Sequence, residues 1–157
     1  MDIQLILGPN NSGKSLYAEN LAIQNIGSPL IYLATMIPQT EENKQRIKKH
    51  ILQRDGKGFL TIEEPWNIHT LDIPHDSVVL LEDASNLLAN GIFVHHSDTI
   101  ECLKRIKLLA NNCKKLIIVS IGGLEEGNFD EETSNYISQL NLLNHSLTEI
   151  ASDCKFF

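Results

Sequence analysis

The chain has 157 residues, of which 42% are hydrophobic and 21% charged, and a formal net charge of −7. That length builds one domain with a sizeable core and is short for two, and the composition excludes disordered and fibrous classes. The acidic balance argues against a general nucleic-acid or anionic-membrane surface, and no apolar run approaches a membrane span, so neither nucleic acid nor membrane is an expected partner.

The chain enters a buried strand at Ile3–Leu7, within three residues of Met1, so no targeting segment is expected and cytoplasmic residence follows as the expectation. Gly8, Pro9, Asn10, Asn11, Ser12, Gly13, Lys14 and Ser15 come next and complete a G-x-x-x-x-G-K-[ST] phosphate-binding loop. Apolar residues at helical spacing then follow, which is the strand, loop and helix order the chemistry needs. The glycines let several N–H groups turn inward on a polyphosphate, and the new helix adds the positive end of its dipole. Lys14 is placed for the β- and γ-phosphates, and Ser15 offers its hydroxyl to Mg²⁺.

Further apolar runs at 30–34, 59–62, 78–81 and 116–121 are nearly continuous and suit strands buried on both faces of a parallel sheet. Helical patterns occupy about 15–26, 40–54, 97–112 and 130–150, with a short helical turn near 84–90. The alternation predicts an α/β fold, a three-layer P-loop NTPase-like domain with a mainly parallel sheet, spanning 1–157 as a single nucleotide-binding domain. Ligands sit beyond the carboxyl ends of such strands, where Thr35, Glu63, Glu64, Glu82, Asp83 and Gly122 fall. Residues 122–128, Gly-Gly-Leu-Glu-Glu-Gly-Asn, read as a loop at that edge.

Of the acidic residues, Glu82 and Asp83 make the better case for a Mg²⁺ partner or base, with the choice between them open. Glu63 or Glu64 is placed to hold a sugar hydroxyl or metal, or is simply solvated. In the basic segment, Arg46, His50 and Arg54 recur every four residues and share a helix stripe. A histidine between two guanidinium groups resists protonation, and a neutral imidazole can act as a nucleophile while the arginines hold phosphates. The competing reading is a solvated basic helix with an incidental histidine. Cys102, Cys113 and Cys154 are odd in number and lack a C-x-x-C pair, so neither a disulfide framework nor a zinc site is indicated. His95 and His96 with Asp98 read as a loop or helix start rather than a metal site, and His69, His75 and His145 as surface or capping residues.

The phosphate loop, Ile31-Tyr32-Leu33-Ala34-Thr35, Arg46-Ile47-Lys48-Lys49-His50 with Arg54, Thr61-Ile62-Glu63-Glu64-Pro65, and Leu80-Leu81-Glu82 with Asn90 stand in one order along residues 3–90. This ordered set resembles the bifunctional adenosylcobinamide kinase/adenosylcobinamide-phosphate guanylyltransferase family of cobalamin biosynthesis. The resemblance implies phosphorylation of adenosylcobinamide by ATP or GTP with Mg²⁺. It further implies transfer of GMP from GTP, through a histidine matching His50, onto the new phosphate. Lys14 and Ser15 match the phosphate and Mg²⁺ residues, Glu82 an acidic residue beside the nucleotide, and the family's trimeric assembly comes with the resemblance. Trp66 is placed either to stack on a base or corrin or to plug the core edge.

Departures from the family pattern mark a divergent, C-terminally short member. Ser120-Ile121-Gly122-Gly123 stands where a glutamate is usual, Ser134 and Ile137 replace basic residues, and the chain ends at Lys155-Phe156-Phe157 where a final strand is expected. These differences keep two alternatives open: a P-loop kinase without the histidine step, and a nucleotide-binding regulator or degenerate paralogue. No Asn-Lys-x-Asp guanine motif is present.

Overall fold

The computed structural model describes residues 1–125 and 127–157. The apolar runs form β1 (Ile3–Gly8), β2 (Leu30–Ala34), β3 (Phe59–Glu63), β4 (Val78–Leu81) and β5 (Lys115–Ile121), joined by a sixth strand, β6 (Asp153–Phe156). Between them lie α1 (Lys14–Ile23), α2 (Glu41–Arg54), α3 (Ala84–His95), α4 (Thr99–Asn111) and α5 (Glu131–Ile150). The strands make one sheet in the order β3-β2-β4-β5-β1-β6, and every neighbouring pair is parallel. Parallel pairing requires a crossover between strands, and the helices supply it. Gly8 lies level with Ile121 in the β1/β5 register, so the phosphate loop leaves the sheet at its carboxyl edge.

Alternation along the strands gives the sheet two apolar faces. Ile3, Leu5, Ile31, Leu33, Val79, Leu81, Leu116 and Ile118 pack against Leu87 and Leu88 of α3, Ile106 and Leu109 of α4, and Leu140, Leu143 and Leu147 of α5. Ile6, Tyr32, Leu80, Ile117 and Val119 point the other way and meet Ala18 and Ala22 of α1. The three layers follow, with each fully buried Leu or Ile contributing about 1.5–3 kcal/mol relative to exposure.

Several sequence expectations are corrected. The turn near 84–90 is a full helix of 12 residues, and Asn86 and Asn90, poor helix formers, are held in it by tertiary hydrogen bonds to Thr35. A side chain added at Gly91 would stand 2.5 Å from the Trp66 ring, so glycine there admits the indole. The final strand is present: β6 pairs with β1 from Gln4↔Asp153 to Leu7↔Phe156. β3 is not buried on both faces; it is an edge strand with Leu60, Thr61 and Glu63 exposed. Within residues 122–128, Glu126 lies outside the described residues.

Candidate active site

Four of the five helices begin with a side-chain cap: Thr40 for α2, Asp83 for α3, Asp98 for α4 and Asp130 for α5. α1 does not. Its N-cap is Gly13 at φ 88, with no side-chain bond and no acidic residue in the first turn. Its leading N–H groups are thus left for an anion. The loop before it turns through Asn11 at φ 59 and folds tightly enough that a Cβ on Gly8 would lie 3.1 Å from Ser12 Oγ. Ser12 Oγ is itself buried without a hydrogen-bond partner among the described residues, a polar atom that a phosphate oxygen would satisfy. Lys14 Nζ donates to the Pro9 carbonyl at 3.0 Å. Burial lowers its pKa, opposed by Asp83 and aided by Arg46.

The cavity here is about 620 Å³ and places Asn10–Leu16 together with Arg46, Lys49, His50, Gln53, Glu82 and Asp83. His50 Nδ1 is 3.3 Å from Ser15 Oγ, which joins α2 to the phosphate-loop helix. The His50 pKa is lowered, first by burial and next by Arg46, with Glu19 opposing and Arg54 and Lys49 reinforcing. Spacing alone attributed that depression to the arginines; desolvation is the larger cause.

Arg54 turns into the body instead of toward the loop. Its Nε and Nη2 donate to Thr61 Oγ1 at 3.2 and 3.1 Å, and its guanidinium lies 3.9 Å from the centre of the Tyr32 ring. Exposed Arg46 is left as the helix's arginine on the phosphate cavity. Arg54 lines a neighbouring cavity of about 320 Å³ with Tyr32, His50, Thr61, Glu63 and Glu82.

The two candidate acids separate. Glu82 Oε1 accepts from the amides of Thr35 at 2.8 Å and Met36 at 3.1 Å, and Oε2 accepts from the Tyr32 hydroxyl at 3.1 Å. Both its oxygens are occupied in fixing the chain that leaves β2. Asp83 uses Oδ1 to cap α3, accepting from the amides of Ser85 at 3.0 Å and Asn86 at 3.3 Å and from the Ser85 hydroxyl. Burial raises its pKa. Glu63 is exposed at the smaller cavity, while Glu64 caps the next turn by accepting from the amides of Trp66 and Asn67, both at 3.0 Å.

Trp66 is 3% exposed, stacked on His95 and under the Arg105 guanidinium, so it is a core residue and not a platform for a base or corrin. His95 and His96 end α3 and Asp98 caps α4. Among the described residues no group of three His, Cys, Asp or Glu could hold a metal. The set present still suits Mg²⁺, which keeps its waters, takes most other oxygens from a nucleotide and needs only one or two protein groups, here Ser15 and an acid of the β4 edge. At the end of β5, Ser120 Oγ donates to Asn144 Oδ1 at 2.8 Å and Asn144 Nδ2 to the Ile121 carbonyl at 2.9 Å, tying that strand to α5.

Sequence reasoning missed Glu19, Gln53 and Lys57. Glu19 is fully buried on α1 and accepts from Gln53 Nε2 and from Lys57 Nζ, the latter at 3.2 Å. The available signal was position: Glu19 follows Ser15 by four and Gln53 follows His50 by three, so each shares a helix face with a site residue.

A parallel α/β sheet whose first strand runs through a glycine loop into an uncapped helix defines the P-loop NTPase-like class. Residues 4–155 match the family described as cobinamide kinase / cobinamide phosphate guanyltransferase, and the chain belongs to that family. Comparison with curated proteins gives no match. The family match runs through residues 120–128 and into β6. The family sets a transferase of cobalamin biosynthesis acting with nucleoside triphosphates and cobinamide. No helix among the described residues is long and apolar enough to cross a membrane.

Proposed function

We propose that residues 1–157 carry out both family reactions on one domain: phosphorylation of adenosylcobinamide with Mg²⁺ and ATP or GTP, then guanylyl transfer from GTP through a covalent GMP on His50. The observation that carries this reading is the 3.3 Å approach of His50 Nδ1 to Ser15 Oγ of the phosphate loop. A solvated basic helix has no reason to set its histidine there.

In the kinase step the loop amides, the α1 terminus and Lys14 hold the β- and γ-phosphates. Ser15 and Asp83 would hold Mg²⁺, directly or through water, and the ion supplies neutralisation of phosphate charge. Asp83 suits the acidic role better than Glu82, whose oxygens already serve two amides and a phenol. Glu82 instead acts by anchoring the segment between β2 and α2.

For guanylyl transfer, His50 works as the neutral tautomer with its proton on Nδ1, which leaves the Nε2 lone pair free. The Nε2–P bond forms at the α-phosphorus as the bond to pyrophosphate breaks. Cobinamide phosphate oxygen then attacks that phosphorus and Nε2 leaves, so Nδ1 keeps its proton throughout. Arg46 neutralises the phosphates. The family's trimeric assembly belongs to this reading.

The test uses GTP labelled on the α-phosphate. Wild type should acquire an acid-labile, base-stable covalent label, and Lys14→Ala should lose it together with at least a hundredfold in Mg·GTP affinity. Lys14-dependent GTP binding with no label and no transfer to any cobinamide would instead identify a nucleotide-binding regulator or a degenerate paralogue. Phosphorylation of adenosylcobinamide without label would identify a kinase lacking the histidine step.

A further inference from the structure

Glu19 stands one helical turn beyond Ser15, and its side chain is fully buried. A buried carboxylate is costly without partners. Both partners come from the other helix and its exit: Gln53 Nε2 donates to Oε2, and Lys57 Nζ donates to Oε1 at 3.2 Å. The same Gln53 nitrogen reaches Ser15 Oγ at 3.2 Å, and that oxygen meets His50 Nδ1 at 3.3 Å. A continuous polar chain thus runs from Glu19 through Gln53 and Ser15 to His50. Neither proposed reaction uses Glu19, which is too deep to touch a nucleotide.

α2 has little else to hold it. Arg54 is its one buried residue, and Ile51 and Leu52 are 48% and 75% exposed. Helical stability in proteins comes mostly from tertiary packing of an apolar face, and this helix has almost none. A satisfied, partly desolvated polar junction can fix geometry where apolar packing does not.

We propose that Glu19 is a positioning residue for guanylyl transfer: acting through Gln53 and Lys57, its buried carboxylate docks α2 on the phosphate-loop helix and sets the distance of His50 from the loop. The inference rests on the reading that His50 carries GMP. It separates two functions along α1, with Ser15 meeting ligand on the outer turn and Glu19 holding the histidine helix one turn deeper. A histidine displaced by an ångström loses transfer rate while the loop keeps its grip on phosphate.

Single-turnover adduct formation on the full chain tests this with Glu19→Gln, which keeps shape and removes charge, and Gln53→Ala, at a partly exposed position that tolerates truncation if the first variant folds poorly. The maximal adduct rate should fall at least tenfold in each, while in Glu19→Gln, whose side chain does not line the cavity, the GTP concentration for half-maximal rate, Mg·GTP affinity and cobinamide phosphorylation stay within threefold. Lys57→Ala should lose two- to fivefold, and Lys57→Arg should restore it. Amides of α2 should exchange hydrogen faster in Gln53→Ala while those of α4 do not change. Wild-type adduct rates in Glu19→Gln and Gln53→Ala would overturn the inference alone, as would a parallel loss of GTP affinity in Glu19→Gln, which would make Glu19 a support of the loop. Absence of any adduct in wild type would overturn the His50 reading and this inference with it.

Discussion

On one face of the sheet, α3, α4 and α5 bury Leu87, Leu88, Ile106, Leu109, Leu140, Leu143 and Leu147 to 1% exposure or less. On the other, α2 reaches the β2–β3 edge with Arg54 as its one buried side chain and holds on through Glu19, Gln53, Thr61 and Tyr32. The phosphate loop springs from β1, inside the sheet between β5 and β6, and inherits that rigidity. The histidine rides on the lightly packed helix. Local opening costs least where few apolar contacts must break, so α2 can separate from the loop far more cheaply than the body can unfold. A site that takes a nucleoside triphosphate and a bulky cobinamide gains from one fixed half and one adjustable half.

The contrast is broken most directly by truncating both sides. Ile106→Ala, deep under the sheet, should cost about 2–5 kcal/mol in urea unfolding through lost transfer energy and the cavity left behind. Leu52→Ala, on the solvent side of α2, should stay within about 0.5 kcal/mol. Equal costs would mean that the two faces are held alike.

A smaller effect sharpens the electrostatic side of the comparison. Adduct formation needs neutral imidazole, and burial with Arg46, Lys49 and Arg54 outweighs Glu19 in holding His50 below the usual histidine range. The maximal adduct rate should therefore stay on its plateau as pH falls through about 6.5, where a solvated histidine is half protonated, and decline only at lower pH. A midpoint at or above that value would place His50 in open solvent.

The same contrast governs how much was legible in the sequence. Runs such as Ile3–Leu7 and 116–121 announce buried parallel strands because continuous apolar residues have few other uses, and the loop at Gly8–Ser15 fixes where phosphate binds. β6 was illegible because Asp153-Cys154-Lys155-Phe156 is short and half polar; its reason to be a strand is the open edge of β1. α3 runs further than the short turn read at 84–90; Asn90 within it donates to the carbonyls of Thr35 and Pro65, both at 2.9 Å, partners that no single stretch of sequence displays. At the site, spacing put Arg46, His50 and Arg54 on one stripe, yet a stripe does not say which member turns inward. Arg54 did, drawn by the Tyr32 ring and Thr61. Glu19 escaped notice because one sequence cannot distinguish a buried carboxylate from an exposed one until its partners on another helix are in view.

Peptide mapping of the chain after reaction with GTP, in parallel with His50→Ala, tests the joining of the two halves most directly. GMP should be found on the peptide containing His50 and on no peptide bearing His69, His75, His95, His96 or His145. His50→Ala should give no adduct while keeping Mg·GTP affinity within threefold, because Lys14 and the loop amides hold the phosphates independently. GMP on another residue, or an undiminished adduct in His50→Ala, would contradict the account.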